Sequence, residues 1–484
     1  MYNAYMLASC CLLILAMYLD IFGFSVALPA VACDLELTVT QQGLLSAVPL
    51  IGVMLSSYAW GLFADTIGRR VTLLLAMPLG AVLSLAASVA PTYTSLAALK
   101  FLSAGFSSAA NAAAFVLVGE TTPGRHRSRF IFLMATTTMF AQLLISLVAL
   151  PVFELTFDVH ISWMSLHYRP WRLLLQIIAL PGIVGVVGMV FLHESPKFLL
   201  SKGRNEDALR VLEKISHHNS KEQFRVSSVY LEETTVPVNP DTSFMRKMWN
   251  QTAPLFKPPL LRNSLILYFL LLCAYMTATG FTMWVATVTN AYFNGEDSAG
   301  KTFCEVASTA SSTSTLATDC NTAIKPFTLY AVACYSGISG SLNTILSFVV
   351  GPVGKKKITI TIFCVSAASG IALIFVRIPL LSIVLFFFYN YVALILGTVN
   401  TYLVELNPTY LRGMATCLSV VVARGFGFLS VQVIGSLLSD HCTPMLSGYI
   451  ALVIIGLAVT FFLPPDSKND KYHEEKNETE ITRC

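Results

Sequence analysis

Charged side chains are scarce in this sequence: Asp, Glu, Lys and Arg make up 12% of its 484 residues, against 55% hydrophobic ones. With a mean hydropathy of +0.68, that scarcity excludes an ordinary soluble globular chain. A phosphate-binding loop and paired catalytic groups are also missing, so the sequence does not read as an enzyme and requires no cofactor. Eleven cysteines occur, none as Cys-x-x-Cys, and most lie inside apolar runs, where they read as small packing residues rather than a metal set. No motif or basic domain points to nucleic acid. The formal net charge of +4 says little about partners, because basic residues distribute with membrane topology. The first apolar run lacks a basic leader and a clear cleavage site, so a retained span is expected.

Present instead are apolar runs of about 20 residues, each able to cross a bilayer core as a helix. Twelve are read, near 5–30, 43–64, 71–90, 95–119, 130–151, 171–192, 263–288, 326–350, 358–377, 379–403, 413–438 and 445–464. Pro29 and Pro464 fit exits from the bilayer; Pro49, Pro78 and Pro181 fall inside spans, where neighbouring helices tolerate kinks. The expected division is a six-helix half over 1–192, a central loop over 193–262, a second half over 263–464 and a tail over 465–484. Within the central loop, Asn205 reads as the N-cap of a short helix with Glu206 and Asp207 in its first turn.

If the N-terminus is cytoplasmic, 24 of the 31 Lys and Arg residues fall on the cytoplasmic side. The opposite side carries four: Arg169, Lys301, Lys325 and Arg377. Both termini are therefore expected in the cytoplasm, of either the plasma membrane or a vesicle membrane. The Asn-x-Ser/Thr sequons, at Asn250 and Asn477, then face the cytoplasm as well.

Between the second and third runs lies Gly61-Leu-Phe-Ala-Asp65-Thr-Ile-Gly68-Arg69-Arg70. Gly61 allows close approach of a neighbouring helix, Gly68 suits a left-handed turn, and the arginines hold the loop inside. Asp65 is the residue that topology alone does not explain. It could meet the positive N-terminus of another helix. A repeat supports six plus six: Glu120-x-x-Pro123-x-x-x-Arg127 returns as Glu405-x-x-Pro408-x-x-x-Arg412, 285 residues later. Gly68-Arg69-Arg70 has an echo in Gly354-Lys355-Lys356, where Gly351 replaces the acid.

The spacing G-x-x-x-D-x-x-G-R-R resembles the signature loop of the major facilitator superfamily. Glu194-Ser195-Pro196-Lys197, Tyr168-Arg169-Pro170-Trp171-Arg172 and Leu255-Phe256-Lys257-Pro258 narrow the resemblance to the synaptic vesicle glycoprotein 2, vesicle-related and organic-cation-transporter branch. The resemblance implies an all-α polytopic membrane protein: the major facilitator fold, twelve transmembrane helices in two six-helix halves. Three positions depart from it. Met17 replaces one of two acids in the first span, Lys100 stands where the branch usually has Arg, and Ala104 replaces a Gly.

A cytoplasmic gate is expected from Gly61, Asp65, Gly68, Arg69, Arg70, Glu120, Arg127, Glu194, Glu405 and Arg412, with Asp65 docking on the eleventh span near Gly413 as the halves close. In that closed state Arg69 and Arg70 would pair with Glu120, Glu194 or Glu405. Asp20 is the acid placed in the membrane core and Arg424 the clearest cation there; they are read as a pair, or as dividing a substrate's charge. Lys100 reads equally as a snorkelling residue. Asn111, Gln142, Tyr275, Trp284 and Asn390 are candidate walls of a route, although interhelical bonding explains each of them alone. Trp171 and Arg172 read as interface anchors, and Cys304 and Cys320 as a disulfide outside the cytoplasm.

The function expected is a secondary transporter of a small organic solute, an organic ion or sugar-like molecule. It would work by alternating access, with or without a coupled proton, with the lipid bilayer as its other partner. The rival is a transporter-shaped vesicle or surface protein that binds a partner without transport.

Overall fold

The computed structural model describes residues 2–122, 124–162, 166–219, 252–294, 300–307, 326–407, 409–438 and 440–464. Cys320 lies outside them, and the side chains of Arg127, Glu405 and Arg412 are likewise not described.

In the first half, α1 is Tyr2–Asp34, α2 Val39–Ile67 and α3 Arg69–Ser88. The fourth span is α4, Tyr93–Ser107, a π-helical segment Ala110–Ala114, and α5, Phe115–Thr121. The fifth is α6, Gly124–Met139, with α7, Ala141–Phe153. A hairpin of β1, Val159–Ile161, and β2, Leu166–Tyr168, leads into α8, Pro170–Val190. Two short helices follow, α9 at Pro196–Ser201 and α10 at Asn205–Asn219.

The second half has α11, Leu261–Asn294, α12, Pro326–Val353, and α13, Lys355–Phe375. Its tenth span is α14, Pro379–Asn390, a 3₁₀ turn Tyr391–Leu394, and α15, Ile395–Leu406. It ends with α16, Thr409–Leu437, and α17, Cys442–Thr460. Eleven described helices are long and apolar enough to cross a bilayer, and a bent pair within α6 and α7, angled by 43°, brings the number to twelve.

Two boundaries differ from expectation. Pro29 lies inside α1, which continues for five residues to Asp34, because Asp34 is held by polar partners there. Asn205 is the first helical residue of α10 rather than its cap, although Glu206 and Asp207 do occupy the first turn. A cap the sequence reading passed over is Ser195, whose hydroxyl accepts from the Phe198 N–H at the start of α9.

The packing follows from which faces are apolar. α1 is apolar all round and buried along most of its length, as a helix surrounded by others must be. By contrast α3 exposes Leu75, Leu79 and Val82, and α8 exposes Leu180, Val184 and Val187, stripes at helical spacing that suit lipid. The halves meet along α2 with α16 and along α6 and α7 with α12. The face holding the α2–α3 turn and α9 is called here the gate face. The opposite one, holding the hairpin, is the far face.

Candidate functional site

The gate-face cluster is built on the turn at Gly68, whose φ of +114° favours a residue without a side chain. A Cβ there would also lie 2.4 Å from Glu194 Oε2. That proximity has a purpose: Glu194 accepts the backbone N–H groups of Arg69 and Arg70, at 2.9 and 3.0 Å. It thus satisfies the open donors at the N-terminus of α3 with a full negative charge. Arg69 pairs with Asp65 at 3.0 Å and with Glu120 at 3.1 Å, and its guanidinium lies over the Phe198 ring. Glu120 also accepts from the Ser195 hydroxyl.

Arg70 donates instead to the carbonyls of Met189 and Val190 at the end of α8. The second half repeats this device. Gly354 has φ +97°, and Lys356 donates to Phe461 and Leu463 O just beyond α17. In each half a basic residue after the glycine closes the carbonyl end of that half's last span.

The expectation that these arginine pairs form only as the halves close is therefore corrected. Arg69, Arg70, Glu120 and Glu194 belong to one half and are already assembled. Asp65 keeps 70% of its side chain exposed, and a Cβ on Gly61 would touch nothing within 4 Å. Among the described residues, none closes on Gly61 in the way the expected gate requires.

The far side is shut. Gly43 of α2 and Gly435 of α16 approach until a Cβ on Gly435 would lie 3.6 Å from the Gly43 Cα and 3.0 Å from Trp284 Cζ2. Trp284 is 1% exposed, with its indole N–H toward Val431 O at 3.4 Å. It is a seal between halves rather than a wall of an open route. Trp171 and Arg172 are also internal, at 2% and 1% exposure. Arg172 donates to Ser88 O, Ala90 O and His167 O and reaches Asp34, while the Trp171 indole donates to Asp34. They clamp the ends of α1, α3 and the hairpin; they do not anchor at a lipid interface. Beside them, Asp158 takes a hydrogen bond from His167 and an ion pair from Arg169. Partial burial pushes its carboxyl up, and those two partners outweigh it, so it titrates below its ordinary value.

Inside the bundle, Asp20 does not pair with Arg424. Lys100, with 0% exposure, places Nζ 2.6 Å from Asp20 Oδ1 and 3.2 Å from the Asp20 carbonyl. Ser84 donates to Oδ1 at 2.8 Å and Ser103 to Oδ2 at 2.7 Å. Lys100 thus turns inward and does not snorkel, because a carboxylate and a carbonyl receive it. Lys100, Ser84 and Ser103 thus surround the Asp20 carboxyl oxygens with donors. A cavity of about 20 Å³ adjoins Asp20, Ser84 and Ser103, room for one water molecule.

Arg424 of α16 is 5% exposed and approaches the Tyr18 hydroxyl of α1 at 3.5 Å, its guanidinium 5.6 Å from that ring. Tyr275 of α11 is half-buried. Among the described residues no carboxylate pairs with Arg424. Asn390 ends α14 with 0% exposure, and neither its Oδ1 nor its Nδ2 finds a hydrogen-bond partner. Asn111 lies on the π segment of the fourth span, half-buried. At the 285-residue repeat offset this segment falls beside the 3₁₀ turn after Asn390, so both halves interrupt the same helix. Gln142 is buried at the head of α7, with no side-chain partner fixed to it among these groups.

The cysteines also pair differently from expectation: Cys304 bonds Cys442, 138 residues away, and not Cys320.

Known proteins match this architecture. A sequence profile of the Major Facilitator Superfamily matches residues 10–431. The chain belongs to the major facilitator superfamily. Synaptic vesicle glycoprotein 2C of Mus musculus is 24% identical over 216 residues, 44% of this chain and 29% of that protein. YfiG of Bacillus subtilis (strain 168) is 31% identical over 200 residues, 41% of this chain and 40% of its own. Synaptic vesicle glycoprotein 2B of Homo sapiens is 22% identical over 304 residues, 57% and 44% of the two chains. Each alignment spans less than half of the relative's length. The xylose transporter XylE from E. coli, in a partially occluded inward open conformation, has a TM-score of 0.67 at 14% identity, covering 96% of this chain and 100% of that one. That likeness shows the fold alone; the family match and the apolar helices make the chain an integral, multi-pass membrane protein.

Proposed function

We propose that this major facilitator protein is a secondary transporter of small organic anions, coupled to protons through Asp20 and Lys100. The observation that carries the reading is the contrast between its two buried cations. Lys100 has a carboxylate at 2.6 Å. Arg424 faces a phenol and, among the described residues, no acid. A buried unpaired cation is costly, and an anionic group of a bound solute offsets that cost. Tyr18, Tyr275 and Asn390 would complete the recognition with hydroxyl and amide groups.

Protonation of Asp20 removes the charge that holds Lys100, so proton uptake and release of the Lys100 side chain are one event. The adjacent water-sized cavity supports a proton path to Asp20. Close packing at the far face with an exposed Asp65 at the gate face supports a state open toward the termini, and the 24-to-4 distribution of basic residues supports placing that side in the cytoplasm.

The experiment is uptake into proteoliposomes from panels of organic anions, organic cations and sugars, with and without a pH gradient. Anion uptake driven by the gradient is expected; Arg424→Gln should abolish it, and Asp20→Asn should abolish accumulation while sparing exchange. Uptake of cations alone would overturn the substrate class. Absence of uptake with all three panels, in protein shown to be folded, would favour a binding partner without transport.

A further inference from the structure

The far-face hairpin carries chemistry that transport does not use. Its register sets His160 opposite His167, with Val159 opposite Tyr168 and Ile161 opposite Leu166. Alternation places Asp158, His160 and Ser162 of one strand on the face shared by His167 and Arg169 of the other. Leu166 is buried on the opposite face, where Phe157 also stacks on Tyr168. The hairpin is therefore anchored on its apolar face through Leu166, with Ile161 and Tyr168 half-buried, and presents two imidazoles on the other face, both exposed.

We propose that His160 and His167 form a binding site for a transition-metal dication of the zinc class, with Asp158 positioning His167. The imidazole ring centroids are 4.9 Å apart and the planes are tilted by 57°. Two imidazoles on one metal, each with a metal–nitrogen bond of about 2 Å and a near-tetrahedral angle between them, place their centroids about 5 Å apart. His167 Nδ1 lies 2.8 Å from Asp158 Oδ1. As a hydrogen-bond donor to that carboxylate, Nδ1 carries the proton and leaves the Nε2 lone pair for a metal, the usual outer support of a ligating histidine. Arg169 holds Asp158 Oδ2 at 3.2 Å, and Arg172 donates to the His167 carbonyl at 2.9 Å. The supporting carboxylate and one strand are thus fixed before any metal arrives.

Imidazole nitrogen selects zinc, copper and nickel over magnesium and calcium. Among the described residues, no group of three or more His, Cys, Asp and Glu converges as a metal set. The site therefore has two protein ligands, with water in the remaining positions.

The test uses the full chain, purified in nanodiscs, with Zn²⁺ titrated in competition with a fluorescent chelator. One saturable Zn²⁺ equivalent is expected, lost in the double variant His160→Gln, His167→Gln. Asp158→Asn, which keeps both ligands, should weaken binding about 10- to 100-fold. An affinity unchanged in the double variant would overturn the site. If that variant is not monodisperse, Cu²⁺ electron paramagnetic resonance of the unaltered protein decides. Coupling to two imidazole nitrogens supports the proposal. An oxygen-only spectrum, or a thiolate one from the exposed Cys334 or Cys364, rejects it.

Discussion

Lys100 changes the meaning of Asp20. An acid alone in the membrane core seeks a cation, and the sequence offers Arg424 at similar depth in the other half. Sequence spacing does not say which way a lysine near a span end points; the structure turns it inward, onto two oxygens of one residue. Removing one member of such a pair leaves a buried charge, at a cost of about 3–5 kcal/mol, whereas removing both is far milder. Lys100→Met is therefore expected to lower thermal stability strongly and Asp20→Asn with Lys100→Met to restore most of it, read by thermal denaturation in detergent. Additive losses would show that the two residues do not interact. Asn390 invites the reverse trade. Its amide is buried with both polar atoms unpartnered, so Asn390→Leu should stabilise the protein by about 1–3 kcal/mol while reducing solute binding. A stability gain with unchanged binding would make Asn390 a packing residue.

At the scale of elements, most of the architecture is legible in the chain. Twelve apolar runs give the spans, and the repeat at Glu120 and Glu405 gives the two halves. Gly68-Arg69-Arg70 gives the turn that Glu194 caps. What the sequence does not carry is which distant ends meet. Cys304 and Cys320 share a loop, so proximity along the chain suggests their union. The observed partner, Cys442, starts α17 and becomes a neighbour only when the last span packs against α11 and α13. Trp284 is hidden for the same reason, since its role depends on two glycines, Gly43 and Gly435, nearly 400 positions apart. The disulfide ties the loop before α12 to the final span and constrains the unfolded chain by about 5 kcal/mol on the entropy estimate for so long a loop. Non-reducing peptide mapping should recover the 304–442 fragment, and Cys442→Ser should lower the melting temperature under oxidising conditions only. A linked 304–320 fragment would contradict this pairing.

For the whole molecule, the proposed transport places the two faces in one equilibrium. The described residues pack closely between the halves at Gly43, Gly435 and Trp284, while Asp65 is largely exposed at the other face. If the halves rock as rigid bodies, opening one face closes the other, and each substitution acts by shifting a single population. Asp65→Asn removes a charge that in the present state holds a largely exposed ion pair with Arg69 at 3.0 Å but would meet the N-terminus of α16 on closing. The loss there is about 0.3–1 kcal/mol, up to about 2 kcal/mol if partly buried, so the gate-open population should grow. Gly435→Ala acts at the other end. Its Cβ would lie 3.0 Å from Trp284 Cζ2, and overpacking of this kind costs about 1–3 kcal/mol. That penalty falls on the state whose far face is closed, so the far-face-open population should grow. Cysteine probes at each face, labelled with impermeant reagents, read the two populations directly. Asp65→Asn should raise gate-face labelling and lower far-face labelling, and Gly435→Ala should do the opposite. In the double variant the two free energies oppose, and both labelling rates should return toward those of the unaltered protein. Two independent doors would behave otherwise: each substitution would loosen its own face alone, and the double variant would label faster at both. That outcome would exclude the rocking mechanism while leaving the fold as described.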